Sequence, residues 1–293
     1  APAPVATTKD KKKKKDKNAP VEVATTVIDE ATDTYDAVDW LTKNLATNNG
    51  KVGVYGISYP GFYSTMAILS KHPAIKAVSP QAPVTDWFIG DDFYHNGAFM
   101  LMDAFSFYSG FGLPRPQPTT KGEPGFSAWN TPDNYDFYLK AGALRNYNDK
   151  YLHGGVPFWN DLMSHPNYDT WWKARNPRPH LKDVRTAVMT VGGLFDAEDC
   201  FGAWQVYKSI EQQNPATISN RIVMGPWVHG GWARGKGDHL GNVQFNALTS
   251  DYYAKEIEFK FFEYYLKNKG NMDLPDASVF ETGSNRWTTY GQW

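Results

Sequence analysis

Apolar positions recur along this chain in two alternating rhythms, helical and strand-like, and that alternation predicts an α/β fold. Across 30–46 the residues Tyr35, Val38, Leu41 and Leu45 share one helical face, and Asn48-Asn49-Gly50 ends that helix. A β-prone run begins at Val52 and leads into Ser58, and Phe62 to Leu69 continues as the helix behind it. Ala74 to Val78 is the next expected strand, with Ser79-Pro80-Gln81-Ala82-Pro83 leading out of it. The rhythm resumes at Thr186–Gly193 (TAVMTVGG), which reads as a buried strand, and again at Arg221–Trp227 (RIVMGPW). Between them a helix runs from Cys200 to about Gln213, burying Trp204, Tyr207 and Ile210. The last clear helix is Asp251–Lys269, with Ile257, Phe261, Tyr264 and Tyr265 facing inward. Lys267 and Lys269 in its last turn suit the helix dipole, and Gly270 caps it. Val279 to Trp293 opens a further β segment.

Residues 87–178 break this rhythm. They are crowded with aromatics, among them Trp87, Phe93, Phe99, Phe107, Tyr108, Trp129, Tyr138, Trp159, Trp171 and Trp172, and punctuated by Pro and Gly. Such an insertion resembles a helical cap; most of its aromatics are explained by core packing and a minority by a pocket lining. Asn176-Pro177-Arg178-Pro179 marks the return to the main sheet. The expected organisation is a loop-like, lysine-rich segment at 1–28, a core at 29–86 and 179–275, a cap at 87–178, and the start of a C-terminal β domain at 276–293.

The 293 residues leave room for one large domain or two small ones. Net charge is −1, yet the run from Lys9 to Lys17 holds seven lysines and two aspartates, so the remaining residues carry about −6. No aromatic is interleaved with that run, which makes it a solvated segment rather than a nucleic-acid or membrane contact. No stretch is long and apolar enough to span a bilayer, and no signal peptide is visible. One cysteine, Cys200, excludes an internal disulfide framework.

The chemistry gathers at the ends of strands. In Val52-Gly53-Val54-Tyr55-Gly56-Ile57-Ser58-Tyr59-Pro60-Gly61-Phe62 a β run enters a Gly-bracketed serine and leaves as a helix, the layout of a nucleophile elbow. The second small residue is displaced from the usual G-x-S-x-G pattern, and Pro60 suits a first helical turn. Leu194-Phe195-Asp196 follows the strand at 186–193, and Val228-His229-Gly230-Gly231 follows that at 221–227. Serine, acid, then histidine is the chain order of an α/β-hydrolase triad, and each candidate lies at the sheet edge where α/β proteins bind ligands. A serine hydroxyl needs an imidazole to take its proton, and the imidazole needs a carboxylate to hold its tautomer. Of the seven histidines, His72 and His165 precede proline, His180 sits in a Pro-rich linker and His239 in a Gly-rich stretch; His229, at a strand end inside Gly-Pro-Trp-Val-His-Gly-Gly, is the best base by context.

Four motifs in order, Gly56–Phe62 (GISYPGF), Gly90–Gly97 (GDDFYHNG), Gly193–Asp199 (GLFDAED) and Gly225–Gly230 (GPWVHG), resemble those of α-amino-acid ester hydrolases. These belong with the cocaine esterase, glutaryl acylase and X-Pro dipeptidyl peptidase-like serine hydrolases. The resemblance runs from about Asp29 to Trp293. It implies a partial α/β-hydrolase sheet with a helical cap, in a chain that reads as a piece of a larger protein lacking upstream strands and a C-terminal jelly roll. It implies that the Tyr59 backbone N–H is one oxyanion donor and that an upstream tyrosine hydroxyl is the other. Loss of one such donor typically costs about 2.7–4 kcal/mol of transition-state stabilisation, so a poorly active fragment is expected.

It further implies that Asp92, Glu198 and Asp199 hold the substrate's α-amino group, largely protonated at neutrality; the same cluster would disfavour an acyl group bearing a carboxylate, which argues against glutaryl substrates. Solvated or helix-terminal acids, or a calcium site, are the competing readings of these three. The expected activity is a serine hydrolase or acyltransferase acting on α-amino esters, amides or short peptides. The alternatives are a broad acyl esterase, an X-Pro dipeptidyl peptidase, or an inactive binding module. No cofactor, metal, nucleic-acid or membrane partner is expected; a homo-oligomer of the full-length protein stays open, and the resemblance suggests a periplasmic or secreted location.

Overall fold

The computed structural model of the chain describes residues 29–121, 126 and 133–293. The lysine-rich segment at 1–28 and Trp129 lie outside the described residues. Six strands form the central sheet in chain order: β1 (Val52–Ile57), β2 (Ile75–Gln81), β3 (Ala187–Gly193), β4 (Asn220–Gly225), β5 (Ala277–Glu281) and β6 (Arg286–Tyr290). β1 to β5 pair in parallel and β6 returns antiparallel to β5. Helices α1 (Glu30–Asn44), α2 (Tyr59–Ser70), α6 (Cys200–Gln213) and α7 (Phe259–Lys267) flank it, while α3 (Leu101–Phe111), α4 (Asn134–Ala141) and α5 (Pro157–Ser164) lie between β2 and β3 in the chain.

The period-two alternation of strand side chains divides the core into two layers. Ala77, Met189 and Val223 face Ile257 and Phe261 of the last helical segment. Val78 and Val188 point the other way, onto Val38 of α1, Ala67 and Ile68 of α2, and Val206 and Ile210 of α6. β3, covered on both faces, is buried along its whole length, as an interior parallel strand should be.

Several elements differ from the sequence expectation. β2 runs on through Pro80 to Gln81 instead of ending at Val78. Proline has no N–H to give a neighbouring strand, and the β2–β3 register is interrupted between Val78 and Gln81. The Ser79 hydroxyl fills the gap by donating to the Met189 carbonyl at 2.8 Å. On α1 only Val38 is buried; Tyr35, Leu41 and Leu45 stay exposed. The final helix starts at Thr249 and passes through a π-helical turn, Tyr253–Glu258, before α7. Its left-handed cap is Asn268, not Gly270. The sequence placed 276–293 at the opening of a separate β domain; here 277–290 are two strands of the central sheet.

Residues between β2 and β3 hold an aromatic cluster of their own, centred on Phe105, Tyr108, Phe137, Tyr147, Trp159 and Trp172. Its two ends are tied at the sheet by Asp86, whose buried Oδ2 meets Arg178 Nη2 at 2.5 Å, Tyr168 Oη at 2.6 Å and Asn176 Nδ2 at 3.1 Å.

Candidate active site

Ser58 occupies the turn from β1 into α2 with φ 68° and ψ −126°, a left-handed backbone that costs a non-glycine residue on the order of 1–3 kcal/mol. Its N–H donates to the Gln81 carbonyl at 2.9 Å, while its hydroxyl takes no part in capping α2. The turn is tight enough to dictate its flanking residues. A Cβ on Gly56 would sit 2.6 Å from the Pro60 carbonyl, and one on Gly61 would sit 2.3 Å from the Gln81 carbonyl. Tyr59 is the first residue of α2, where a backbone N–H has no acceptor inside the helix.

Asp196 and His229 meet across the ends of β3 and β4. His229 Nδ1 lies 2.8 Å from Asp196 Oδ2. The other oxygen, Oδ1, accepts the N–H groups of Glu198 and Asp199 at 2.9 and 3.0 Å, so the carboxylate is fully engaged. Burial works against its charge, but the His229 bond and charge and these two N–H donors together lower the Asp196 pKa. Burial likewise opposes the charged imidazole, yet Asp196, Glu198 and Asp92 raise the His229 pKa above its ordinary value. Among the described residues Ser58 Oγ makes no hydrogen bond to His229, and the two share only a neighbour, Glu198. Glu198 lines a hollow of about 330 Å³ with Ser58, Tyr59 and Asp92, and its Oε2 lies 3.7 Å from His229 Nε2. The two loops also touch, since a Cβ on Gly230 would lie 3.4 Å from Ile57 Cγ2.

The three further carboxylates behave differently from one another. Asp199 precedes α6 at the position where an aspartate ordinarily caps the helix, but its side chain makes no cap bond. It is fully buried, and neither of its oxygens has a hydrogen-bond partner. Burial, then the charges of Asp92, Asp91, Asp196 and Glu198, push its pKa well above the carboxylate range. This is not a solvated loop acid. Asp92 sits at φ 50°, with its N–H on the Glu198 carbonyl at 3.1 Å. Burial, then Asp91 and Glu198, raise it to about 8. Glu198 is the most exposed of the three, and burial raises it too. Asp91, adjacent in sequence, is a framework residue. Its Oδ2 accepts from Thr85 N, Thr85 Oγ1 and Asp86 N, and its Oδ1 from Gly202 N at 2.7 Å.

Glu198, Asp199 and His229 offer ligand atoms that all lie within 4.8 Å of one another. A metal would compete with Asp196 and Ser58 for the imidazole, whereas an organic ammonium needs only the carboxylates. Asp103 and Ser106 of α3 line the same hollow, with Phe93 and Phe107; the sequence reading missed them. Their signal was two polar residues three apart in the apolar run Leu101–Phe107, one helical face. A separate cavity of about 750 Å³ lies on the far side of Tyr59, between α1, α2 and the cap, and includes Trp87 and Phe158. It contains none of Ser58, Asp196 or His229.

A mostly parallel sheet with a serine at the first strand-to-helix turn and an acid–histidine pair at later strand ends defines the α/β-hydrolase class. The sequence profile described as X-Pro dipeptidyl-peptidase (S15 family) matches residues 22–231, and the chain belongs to that family. It is similar to an aminopeptidase from a marine sediment Thaumarchaeota archaeon, with 33% identity and a TM-score of 0.83 over 92% of this chain and 43% of that one. It is similar to an α-amino acid ester hydrolase at 32% identity and TM-score 0.83, over 91% of this chain and 42% of that one. The cocaine esterase of Rhodococcus sp. is 20% identical over 273 residues, 91% of this chain and 46% of that protein. The chain therefore spans less than half the length of these relatives.

Proposed function

We propose that this chain carries the catalytic site of a serine hydrolase that cleaves esters or amides of α-amino acids through an acyl-serine intermediate. His229 Nε2 takes the proton of Ser58 Oγ as the oxygen attacks the substrate carbonyl. Asp196 fixes the Nδ1–H tautomer and stabilises the imidazolium. The Tyr59 N–H donates to the oxyanion, and the leaving alcohol or amine departs with the proton from His229. Water, deprotonated by the same imidazole, then releases the acid; an amine in its place would give an amide.

The observation that carries the substrate class is Asp199, a carboxyl group with no hydrogen-bond partner, buried beside Asp92 and Glu198. Burial and like charges favour the protonated form of such a group, and a substrate ammonium would stabilise its ionised form in the complex. The same group would serve the free amino terminus of a peptide, so an aminopeptidase or X-Pro dipeptidyl peptidase is the second reading, favoured by the family match. The test is hydrolysis of phenylglycine methyl ester beside its des-amino analogue and Ala-Pro-nitroanilide by the natural full-length protein. A strong preference for the amino ester supports the first reading, and a preference for the nitroanilide supports the second. Equal rates on the amino and des-amino esters would remove ammonium recognition.

A further inference from the structure

Gln81 lies at the end of β2 and is bonded through its backbone carbonyl and both ends of its side-chain amide. Its backbone carbonyl accepts the Ser58 N–H at 2.9 Å. Its side-chain oxygen accepts the indole N–H of Trp232 at 2.7 Å, and Trp232 lies in the short turn Gly231–Ala233 that follows His229. Its amide nitrogen donates to Glu258 Oε1 at 2.6 Å and to Tyr253 Oη at 3.1 Å, both in the π-helical turn before α7. The orientation of the amide is fixed by chemistry, because an indole can only donate and a carboxylate can only accept. Gln81 is 1% exposed and Trp232 is 4% exposed, so water cannot substitute for either partner.

The histidine loop is thus held by two indole N–H bonds. Trp227, before His229, donates to Thr249 Oγ1 at 2.8 Å. Trp232, after it, donates to Gln81. Only the second joins the loop to the residue that also holds the Ser58 backbone.

We propose that Gln81 is a positioning residue that sets the distance between Ser58 Oγ and His229 Nε2, holding the nucleophile turn through its backbone carbonyl and the histidine loop through its side-chain amide. The inference rests on the assignment of Ser58 and His229 as nucleophile and base. A glutamate at this position would place a second carboxylate against Glu258, and a methionine would keep the volume while losing every side-chain hydrogen bond. Because a misplacement of about 1 Å in a catalytic pair can cost on the order of 100-fold in rate, the effect falls on kcat and not on substrate binding.

The test uses the full-length protein with p-nitrophenyl acetate, a substrate without an amino group, so that ammonium recognition does not enter. Gln81→Met and Trp232→Phe are each expected to lower kcat about 10- to 100-fold with KM within about threefold, and to slow fluorophosphonate labelling of Ser58 in parallel. The double variant should fall no further than the worse single variant, since both remove the same bond. Gln81→Asn, which keeps the amide on a shorter arm, should recover part of the rate. A fall in melting temperature with unchanged kcat and labelling rate at 15 °C would overturn the proposal, as would additive losses in the double variant. If either replacement fails to fold, the other and the labelling rate of Gln81→Asn decide the matter by the same criteria. Full turnover by Ser58→Ala would instead refute the serine assignment, an outcome separable from the behaviour of Gln81.

Discussion

Asp199 Oδ2 lies 3.8 Å from His229 Nδ1, yet the hydrogen bond to that nitrogen belongs to Asp196 at 2.8 Å. Two carboxylates thus crowd one side of the imidazole, one hydrogen-bonded to it and the other without a hydrogen bond. In the proposed mechanism Asp196 supports the base and Asp199 receives the substrate's ammonium. Replacing Asp199 with Asn keeps the shape and removes the charge. We expect kcat/KM for phenylglycine methyl ester to drop about 10- to 100-fold, the scale of a hydrogen bond to a charged group, with the des-amino ester changed by less than about threefold. Steady-state kinetics on the two esters check this.

The acid limb of the rate profile should report His229. The base works only when neutral, and Asp196, Glu198 and Asp92 raise its pKa against the effect of burial. The limb therefore lies above the usual histidine value near 6.5. Glu198→Gln removes a negative charge 3.7 Å from Nε2, so the limb should move to lower pH. A profile of kcat/KM against pH for both proteins measures the shift.

Stability should fall as pH rises through neutrality. Asp92 has a folded pKa of about 8 against about 3.9 unfolded, so between those values the native state binds more protons and stability declines with pH. Asp199 and His229, also raised, act in the same direction. Asp196 is lowered; its contribution is present above the unfolded value and is lost only as pH falls through the folded one, below this window. Asp92→Asn should raise the melting temperature at pH 8 and flatten its slope between pH 5 and 8, measured by thermal unfolding without substrate.

The elbow should tolerate no added methyl group at Gly61. Its Cβ would meet the Gln81 carbonyl at 2.3 Å, and backbone has no easy route of retreat. Gly61→Ala is expected to cost about 1–3 kcal/mol in urea unfolding and to reduce turnover sharply by displacing Ser58.

What was legible in the sequence depended on how local its cause was. The turn at Ser58 could be read because Gly56 and Gly61 are demanded by backbone contacts within a few residues or with the next strand. Asp196 and His229 were found because strand ends share one edge in a parallel sheet, whatever lies between them in sequence. β2 was cut short because proline reads as a strand breaker, and the compensating Ser79 hydroxyl depends on a strand more than a hundred residues away. Asp103 and Ser106 were missed for a similar reason: which face of α3 looks onto Ser58 is decided by how the aromatic cluster packs. The burial of Asp199 was also hidden, since an aspartate before a helix ordinarily caps it.

The most direct test of the central claim is to label the full-length protein with a fluorophosphonate and locate the modified residue by peptide mass spectrometry. The account predicts a single adduct on Ser58, absent in Ser58→Ala and slowed at least 100-fold in His229→Ala. Modification at another residue, or unchanged ester turnover in Ser58→Ala, would contradict it.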